Sequence, residues 1–313
     1  MRVRDLGEFG LIARIERAAS RVSTGSGVAL GIGDDAALVR ARAGEDVVVT
    51  TDAFVEDVHF RWRNESPRTV GRRALVANLS DLAAMAARPL GFTLSLVAPS
   101  GLEVKRVDGL IAGLVHEAER HGCPLVGGNV AAGGETSLSI TALGAVARGK
   151  ALTRRGARAG GRLCVTGVLG VAALDRARAE RAGGRVRHVA EPRLAAARAL
   201  ARVPGLGGCI DLSDGLEADA AHLLAPAGLA PELDDGAIPL SPRFAAACSQ
   251  LGLDPLALAR GGGEDYELLF TLRPSAPRPG ALSRRLGVRV TEVGRAVRPQ
   301  RPGSPAPRGW RHF

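Results

Sequence analysis

Hydrophobic and polar positions change period several times along the 313 residues. Val47, Val48, Val49, Thr50 and Thr51 form a β-branched run that stops at the acidic Asp52, the pattern of a strand closing on a turn. Over 69–87 the period becomes helical, with Leu75, Leu79, Leu82 and Ala86 on one stripe. Residues 92–97 predict another strand and 104–121 a second long helix, and 137–146 alternates as a half-buried strand does. Beyond Gly149 an aperiodic stretch rich in arginine and glycine, 153–161, reads as a junction. The mixture then restarts, with strands at 162–166 and 266–272, a helix at 192–202 opened by Pro192, and another at 214–224. Segment 298–308, rich in Pro and Arg, reads as irregular. No short-period repeat runs through the chain, which excludes solenoids and propellers. The expected architecture is α/β (α+β) in two tandem domains: 1–148 with a mixed sheet and helices, and 149–313 as a second α/β domain.

Composition narrows the classes. Cys123, Cys164, Cys209 and Cys248 have no paired spacing, so they suit neither a zinc site nor a secreted disulfide framework, and a cytoplasmic setting is expected. The first residues lack the apolar core of a signal peptide, and no apolar run reaches the length of a membrane span, so no membrane partner is expected. The net charge of +10 raises the question of nucleic acid. However, only Lys105 and Lys150 among the 42 cations are lysines, a bias of overall composition rather than of one patch. Seven Phe, two Trp and one Tyr are also thin provision for stacking bases, so no nucleic-acid partner is expected.

The segment Gly31-Ile32-Gly33-Asp34-Asp35-Ala36 superficially fits a dinucleotide fingerprint. That fingerprint must open a helix facing a pyrophosphate, whereas this segment runs through turn residues into a strand, and its adjacent carboxylates would repel phosphate. They become sensible if cations lie between them and the phosphate. Neither lysine stands in a Walker A loop. Acidic and hydroxyl groups recur at the ends of apolar segments: Asp34 and Asp35; Thr50, Thr51 and Asp52; Asn78 and Asp81; Asp211, Ser213 and Asp214. Magnesium takes oxygen ligands and commonly uses one or two carboxylates per ion, so such a scatter suits several ions and phosphoryl transfer. Each piece also has a structural explanation. Asp34-Asp35 makes a good turn, Thr50 and Thr51 fit a strand, and Asp214 with Glu217 fits a helix capping box. Asp81, in a helix of Ala, Leu and Met, is costly if buried alone, although one step off the stripe it would face solvent. The glycine-rich stretches at Gly127-Gly128, Gly133-Gly134 and Gly261-Gly262-Gly263 allow close approach of a ligand or make ordinary turns. The histidines lack ligand spacing, and no Ser-His-Asp order can be drawn.

Taken in order, these segments resemble thiamine-monophosphate kinase, in the superfamily of aminoimidazole ribonucleotide synthetase and selenophosphate synthetase. The resemblance runs through Gly7-Glu8-Phe9, 31–37, Thr50 to Phe60, 74–85, Gly127-Gly128, Ala151-Leu152-Thr153-Arg154, 211–216, 262–268 and the terminal 309–313. It implies ATP-dependent phosphorylation of thiamine monophosphate to thiamine diphosphate, with several Mg2+ ions and ATP as co-substrate. The site it implies lies between the two domains of a homodimer whose N-terminal sheets pack together. Asp34, Asp35, Thr50, Thr51, Asp52, Asp81, Asn129, Asp211 and Asp214 would be the metal ligands, and Asp52, Asp81 and Asp214 the catalytic positions. Gly127, Gly128, Arg154 and Ser213 would contact the nucleotide, and His59, Glu264 and Trp310 would line the thiamine-phosphate site. Asn129 departs from the aspartate the family usually carries after the second glycine, replacing a charged ligand by a neutral oxygen donor. Asp57 departs where a small residue often precedes the histidine. The alternatives that the residues leave open are a sister ATP-dependent synthetase with another substrate and a non-catalytic nucleic-acid-binding protein.

Overall fold

The computed structural model describes residues 1–22, 27–32 and 36–299. The chain forms two compact units: Met1–Leu82, Arg88–Gly149 and Ala179–Val189 make the first, and Ala83–Ala87, Lys150–Arg178 and the chain from Ala190 on make the second. The main passage from the first unit to the second falls between Gly149 and Lys150, before the arginine-rich stretch, and segments 83–87 and 179–189 belong to the unit other than the one their flanking residues build.

In the first unit, strands β3 (Glu45–Val55), β4 (Arg88–Ala98), β5 (Leu125–Ala132) and β6 (Ser137–Ala147) form a sheet in the order β3-β6-β4-β5. All neighbours are antiparallel except β4 and β5, which are parallel. Helix α3 (Val104–His121) supplies the crossover that a parallel pair requires. The sheet is two-sided, as period-2 alternation demands. Phe92, Leu94, Leu96, Leu138, Ile140 and Ala142 are almost completely buried on one face. Their neighbours Thr93, Ser95, Val97, Ser139 and Thr141 are only half-buried, and on β3 Val47 and Val49 are 53% and 61% exposed on the same open face.

Helix α2 (Pro67–Ala84) meets α3 backbone to backbone. A Cβ on Gly71 would lie 2.0 Å from the Leu110 carbonyl oxygen, and one on Gly113 would lie 2.2 Å from that of Arg68. Only glycine permits this crossing. Helix α1 (Val3–Ala19), broken at Gly7 (φ 66°), is tied to α3 by a two-pronged ion pair from Arg14 to Asp108. A two-stranded ribbon, β1 (Val28–Leu30) with β2 (Leu38–Val39), completes this unit.

The second unit is built on β7 (Arg162–Thr166), β8 (Leu206–Asp211), β9 (Ala230–Leu233), β10 (Leu268–Leu272) and β11 (Val290–Val297), all antiparallel in the order β8-β10-β7-β11-β9. Leu163, Val165, Ile210, Leu269 and Val293 form its core with Leu216, Ala220, Leu223 and Leu224 of helix α6 (Leu216–Leu224). Helices α4 (Val171–Ala182), α5 (Leu194–Leu200), α7 (Pro242–Gln250), α8 (Pro255–Gly261) and α9 (Pro279–Leu286) are the remaining ones. Among the described residues no helix is long and apolar enough to cross a membrane.

Candidate active site

Strand β3 and helix α2 assemble the acidic group of the first unit. Thr50 and Asp52 are two residues apart on β3 and share the face that Ile140 and Ala142 occupy on β6. The Thr50 hydroxyl donates to Asp81 Oδ2 of α2 at 2.5 Å. Asp81 is thus half-buried and accepts a hydrogen bond instead of turning fully to solvent. Burial and the neighbouring Asp81 charge push the Asp52 carboxyl up to about 6. Two carboxylates held this close, with a hydroxyl between strand and helix, make an all-oxygen donor set of the kind magnesium uses.

Thr51 does not join them. By strand alternation it lies on the open face, where its hydroxyl donates to Ile140 O at 3.0 Å and accepts from Thr141 at 3.2 Å. Gly127, Gly128 and Asn129 lie on β5, with Gly128 registered beside Leu94 and Asn129 beside Ser95. Gly128 has φ 156°, and a Cβ there would stand 2.0 Å from the Leu94 carbonyl oxygen. A side chain at this position is therefore excluded.

After β3 the chain turns through Asp57, whose φ of 62° an aspartate tolerates better than most residues. His59 is fixed from two sides: its Nδ1 accepts the Val55 N–H at 3.1 Å, and its ring stacks on Phe54 at 5.4 Å between centroids. A neutral ring accepting at Nδ1 carries its proton on Nε2. The Phe54 ring also lies 5.1 Å from the Arg73 guanidinium, which is ion-paired with buried Glu65.

In the second unit β8 delivers buried Asp211, followed by Ser213 and Asp214 before α6. The capping box expected from Asp214 and Glu217 is not formed. The cap residue is Gly215, without a side-chain cap, and it is the Asp219 carboxylate that accepts the N–H groups of Asp214 (3.0 Å) and Gly215 (3.1 Å). Asp219 is only 1% exposed, and burial together with the Asp211 and Asp214 charges pushes it up to about 8. Arg154 is exposed beside the middle of this strand: Thr153 O accepts the Cys209 N–H at 2.8 Å, and a Cβ on Gly208 would meet Arg154 O at 2.7 Å.

The loop that precedes β10 crosses this turn. Glu264 N donates to Ser213 O at 2.8 Å and Tyr266 N to Leu212 O at 2.9 Å. Glu264 and Tyr266 both adopt positive φ (58° and 49°), an unfavourable conformation for their types and a mark of functional loops. The Glu264 side chain is ion-paired with Arg176, which also donates to Gly262 O. Two further acids escaped the sequence reading. Asp265 accepts the Gly170 N–H with both oxygens (2.9 and 3.0 Å), and burial pushes it up to about 7. Glu267 accepts from Thr166 Oγ1 at 2.6 Å and pairs with Arg193.

The structure thus gathers Thr50, Asp52 and Asp81 in one unit, and Asp211, Ser213, Asp214 and Glu264 in the other. Asp34, Asp35 and Trp310 lie outside the described residues. Among the described residues no three His, Cys, Asp or Glu side chains form a ready metal cage. One or two carboxylates per ion, completed by water and phosphate, is the arrangement these residues can offer.

Residues 33–146 match the family model of AIR synthase related protein, N-terminal domain. The thiamine-monophosphate kinase of Mycobacterium tuberculosis (strain CDC 1551 / Oshkosh) is 37% identical over 274 residues, covering 85% of this chain and 81% of its own. The crystal structure of thiamine-monophosphate kinase from Stenotrophomonas maltophilia K279a superimposes with a TM-score of 0.79 at 33% identity, over 93% of this chain and 94% of that one. AaThiL complexed with AMPPCP and TMP superimposes with a TM-score of 0.75 at 30% identity, over 100% and 99% of the two chains. With such identity sustained over most of the chain, in the fold those enzymes share, the protein belongs to the thiamine-monophosphate kinase family.

Proposed function

We propose that the protein transfers the γ-phosphoryl group of ATP to the phosphate of thiamine monophosphate, releasing thiamine diphosphate and ADP. The observation that carries this is the Thr50–Asp81 hydrogen bond beside Asp52, a cation-attracting oxygen set in a chain that matches AaThiL from end to end. A phosphate oxygen of the acceptor attacks the γ-phosphorus, and the bond from that phosphorus to the β–γ bridging oxygen breaks. The acceptor is largely ionised at neutral pH because its second pKa is near 6, so no strong general base is needed.

The donor set is what suits a cation: the Thr50 hydroxyl bonded to the Asp81 carboxylate, with the Asp52 carboxylate beside them on the same strand face, offers only oxygen ligands. Thr50, Asp52 and Asp81, with Asp34 and Asp35, would hold magnesium from the first unit and Asp211 and Asp214 from the second, whereas Asn129, registered beside Ser95, shares the open face with Thr51. When bound, magnesium neutralises the repulsion between two polyanions. The chain's own groups do the positioning. His59, with its proton on Nε2, is a hydrogen-bond donor suited to a phosphate oxygen. Gly127 and Gly128 let backbone approach the nucleotide, and Arg154 and Ser213 supply further donors to it. Glu264, steadied by Arg176, offers a negative charge to the thiazolium cation, and Trp310 a flat face worth about 0.5 to 2 kcal/mol.

We also infer a homodimer formed through the open face of the first sheet, which the exposure of Val47 and Val49 supports. All four cysteines are free and buried, as suits a cytoplasmic enzyme. Incubation with ATP, magnesium and thiamine monophosphate, followed by chromatography of the products, tests the activity: thiamine diphosphate and ADP should appear in equal amounts, and no product at high enzyme concentration would refute it. Light scattering of Val49→Asp tests the dimer, which should fall to monomer.

A further inference from the structure

Asp219 is named in none of the roles above, yet it is the most deeply buried acid of its neighbourhood. It occupies the first turn of α6 at 1% exposure. Its own N–H donates to Gly215 O at 3.0 Å, while its Oδ2 reaches back to the N–H groups of Asp214 and Gly215. One residue thereby closes the turn twice, with its main-chain N–H and with its carboxylate. N–H groups at the start of a helix are ready-made anion donors, and here a resident carboxylate occupies them.

The opposite side of the turn is held as firmly. Glu264 N donates to Ser213 O, and Tyr266 N to Leu212 O. Gly215 adopts φ 113°, and a Cβ on it would approach Arg260 O to 2.9 Å. The segment from Asp211 to Gly215 is therefore clamped between the loop before β10 and the Asp219 carboxylate. Burying a third acid beside Asp211 and Asp214 is costly, and a neutral amide or hydroxyl could cap the turn without the repulsion. A carboxylate oxygen accepting two N–H groups gives the stiffer clamp.

We propose that Asp219 is a positioning residue: through its bonds to Asp214 N and Gly215 N it holds the Asp211–Gly215 segment in the backbone conformation in which Asp211, Ser213 and Asp214 engage the magnesium and the nucleotide phosphates. The inference rests on the function proposed above and deepens it. Removing a residue that orients metal ligands typically costs about 10- to 100-fold in metal affinity or activity.

The test compares Asp219→Ala and Asp219→Asn with the wild-type enzyme. The readouts are the magnesium concentration for half-maximal turnover, the KM for thiamine monophosphate, and calorimetric affinity for a non-hydrolysable ATP analogue with magnesium. Asp219→Ala should raise the magnesium requirement and weaken the analogue by about tenfold or more, leaving the thiamine-monophosphate KM within about threefold. Asp219→Asn, whose amide oxygen still accepts both N–H groups, should recover most of the loss. Wild-type magnesium dependence in a folded Asp219→Ala protein overturns the proposal. So does an Asn variant as impaired as the Ala one, because a charge rather than a clamp would then be at work. Should Asp219→Ala fail to fold, Asp219→Leu, which fills the site but cannot accept either N–H group, takes its place in the comparison. Absence of turnover by a wild-type enzyme that still binds the magnesium–analogue complex would sink the assigned substrate, and the calorimetric arm would still judge the clamp.

Discussion

Substituting Asp52 by asparagine tests the electrostatics of the first acidic group without the complication of catalysis. In the folded protein burial and Asp81 raise the Asp52 carboxyl from 3.8 to about 6. Because the folded pKa lies above the unfolded one, the native state binds more protons in between, and stability falls as pH rises through this window. The penalty is absent below about pH 4 and complete above about pH 6 to 7. Roughly two pKa units at 1.36 kcal/mol each set it at about 3 kcal/mol, and residual contact of the half-buried side chain with water lowers this to about 2 kcal/mol. The amide side chain of Asp52→Asn has the same shape and no charge. Urea unfolding in EDTA between pH 4 and pH 8 should therefore show the variant equal to the wild type at pH 4 and about 2 kcal/mol more stable at pH 8. Asp219 and Asp265, raised to about 8 and 7, add the same slope to both proteins and cancel in the difference. Saturating magnesium should reverse the order at pH 8, because an ion bound to the native wild type stabilises it by mass action. A stability difference that does not change with pH would refute the electrostatic account, and an unreversed order in magnesium would refute the metal assignment.

Other consequences are equally direct. Thr50→Val removes the hydroxyl that donates to Asp81 and should cost roughly 1.5 to 3 kcal/mol in urea unfolding at pH 8, with a matching fall in kcat; unchanged values would mean the bond contributes nothing. Gly128→Ala places a Cβ against Leu94 O on the paired strand, so a loss of about 1 to 3 kcal/mol or more is expected, and a loss below about 0.5 kcal/mol would show that the strands part easily. All four thiols are buried, and burial pushes Cys123 and Cys164 up to about 12 and raises Cys209 and Cys248. A colorimetric thiol reagent at pH 8 should therefore detect none in the native protein within minutes and four after denaturation; fast labelling of any one would contradict the packing around it.

The helix 104–121 and the strand 162–166 coincide with α3 and β7, whereas the helix read over 69–87 runs over Pro67–Ala84 and the strand read over 92–97 extends over Arg88–Ala98. Several other elements were not legible, for identifiable reasons. Helices α7 and α8 are nine and seven residues long, too short for a period to declare itself, although Ser241-Pro242 and Asp254-Pro255 are good start signals. Strand β8 contains Gly207 and Gly208, and β11 is interrupted at Gly294, which blurs their alternation. At the site, strand period alone places Thr51 opposite Thr50 and Asp52 once 47–52 is taken as a strand. The contact of Thr50 with Asp81, 31 residues away, could come only from the fold. Asp219 was hidden because Glu217 offered a plausible local cap at the usual spacing, and the real partner of the turn lies two residues further along α6.

The glycine crossing of α2 and α3 has a consequence for inheritance. Gly71 stands ten residues before Asp81 on α2, about 15 Å along the helix axis. Any side chain at Gly71 must push the rod away from Leu110, and a stiff rod carries that displacement to its far end. A screen for lost thiamine diphosphate synthesis would then return Gly71 and Gly113 alongside Asp81, even though neither glycine touches a reactant. Because a side chain at the crossing meets main-chain atoms, smaller side chains on the opposite helix should not rescue such alleles.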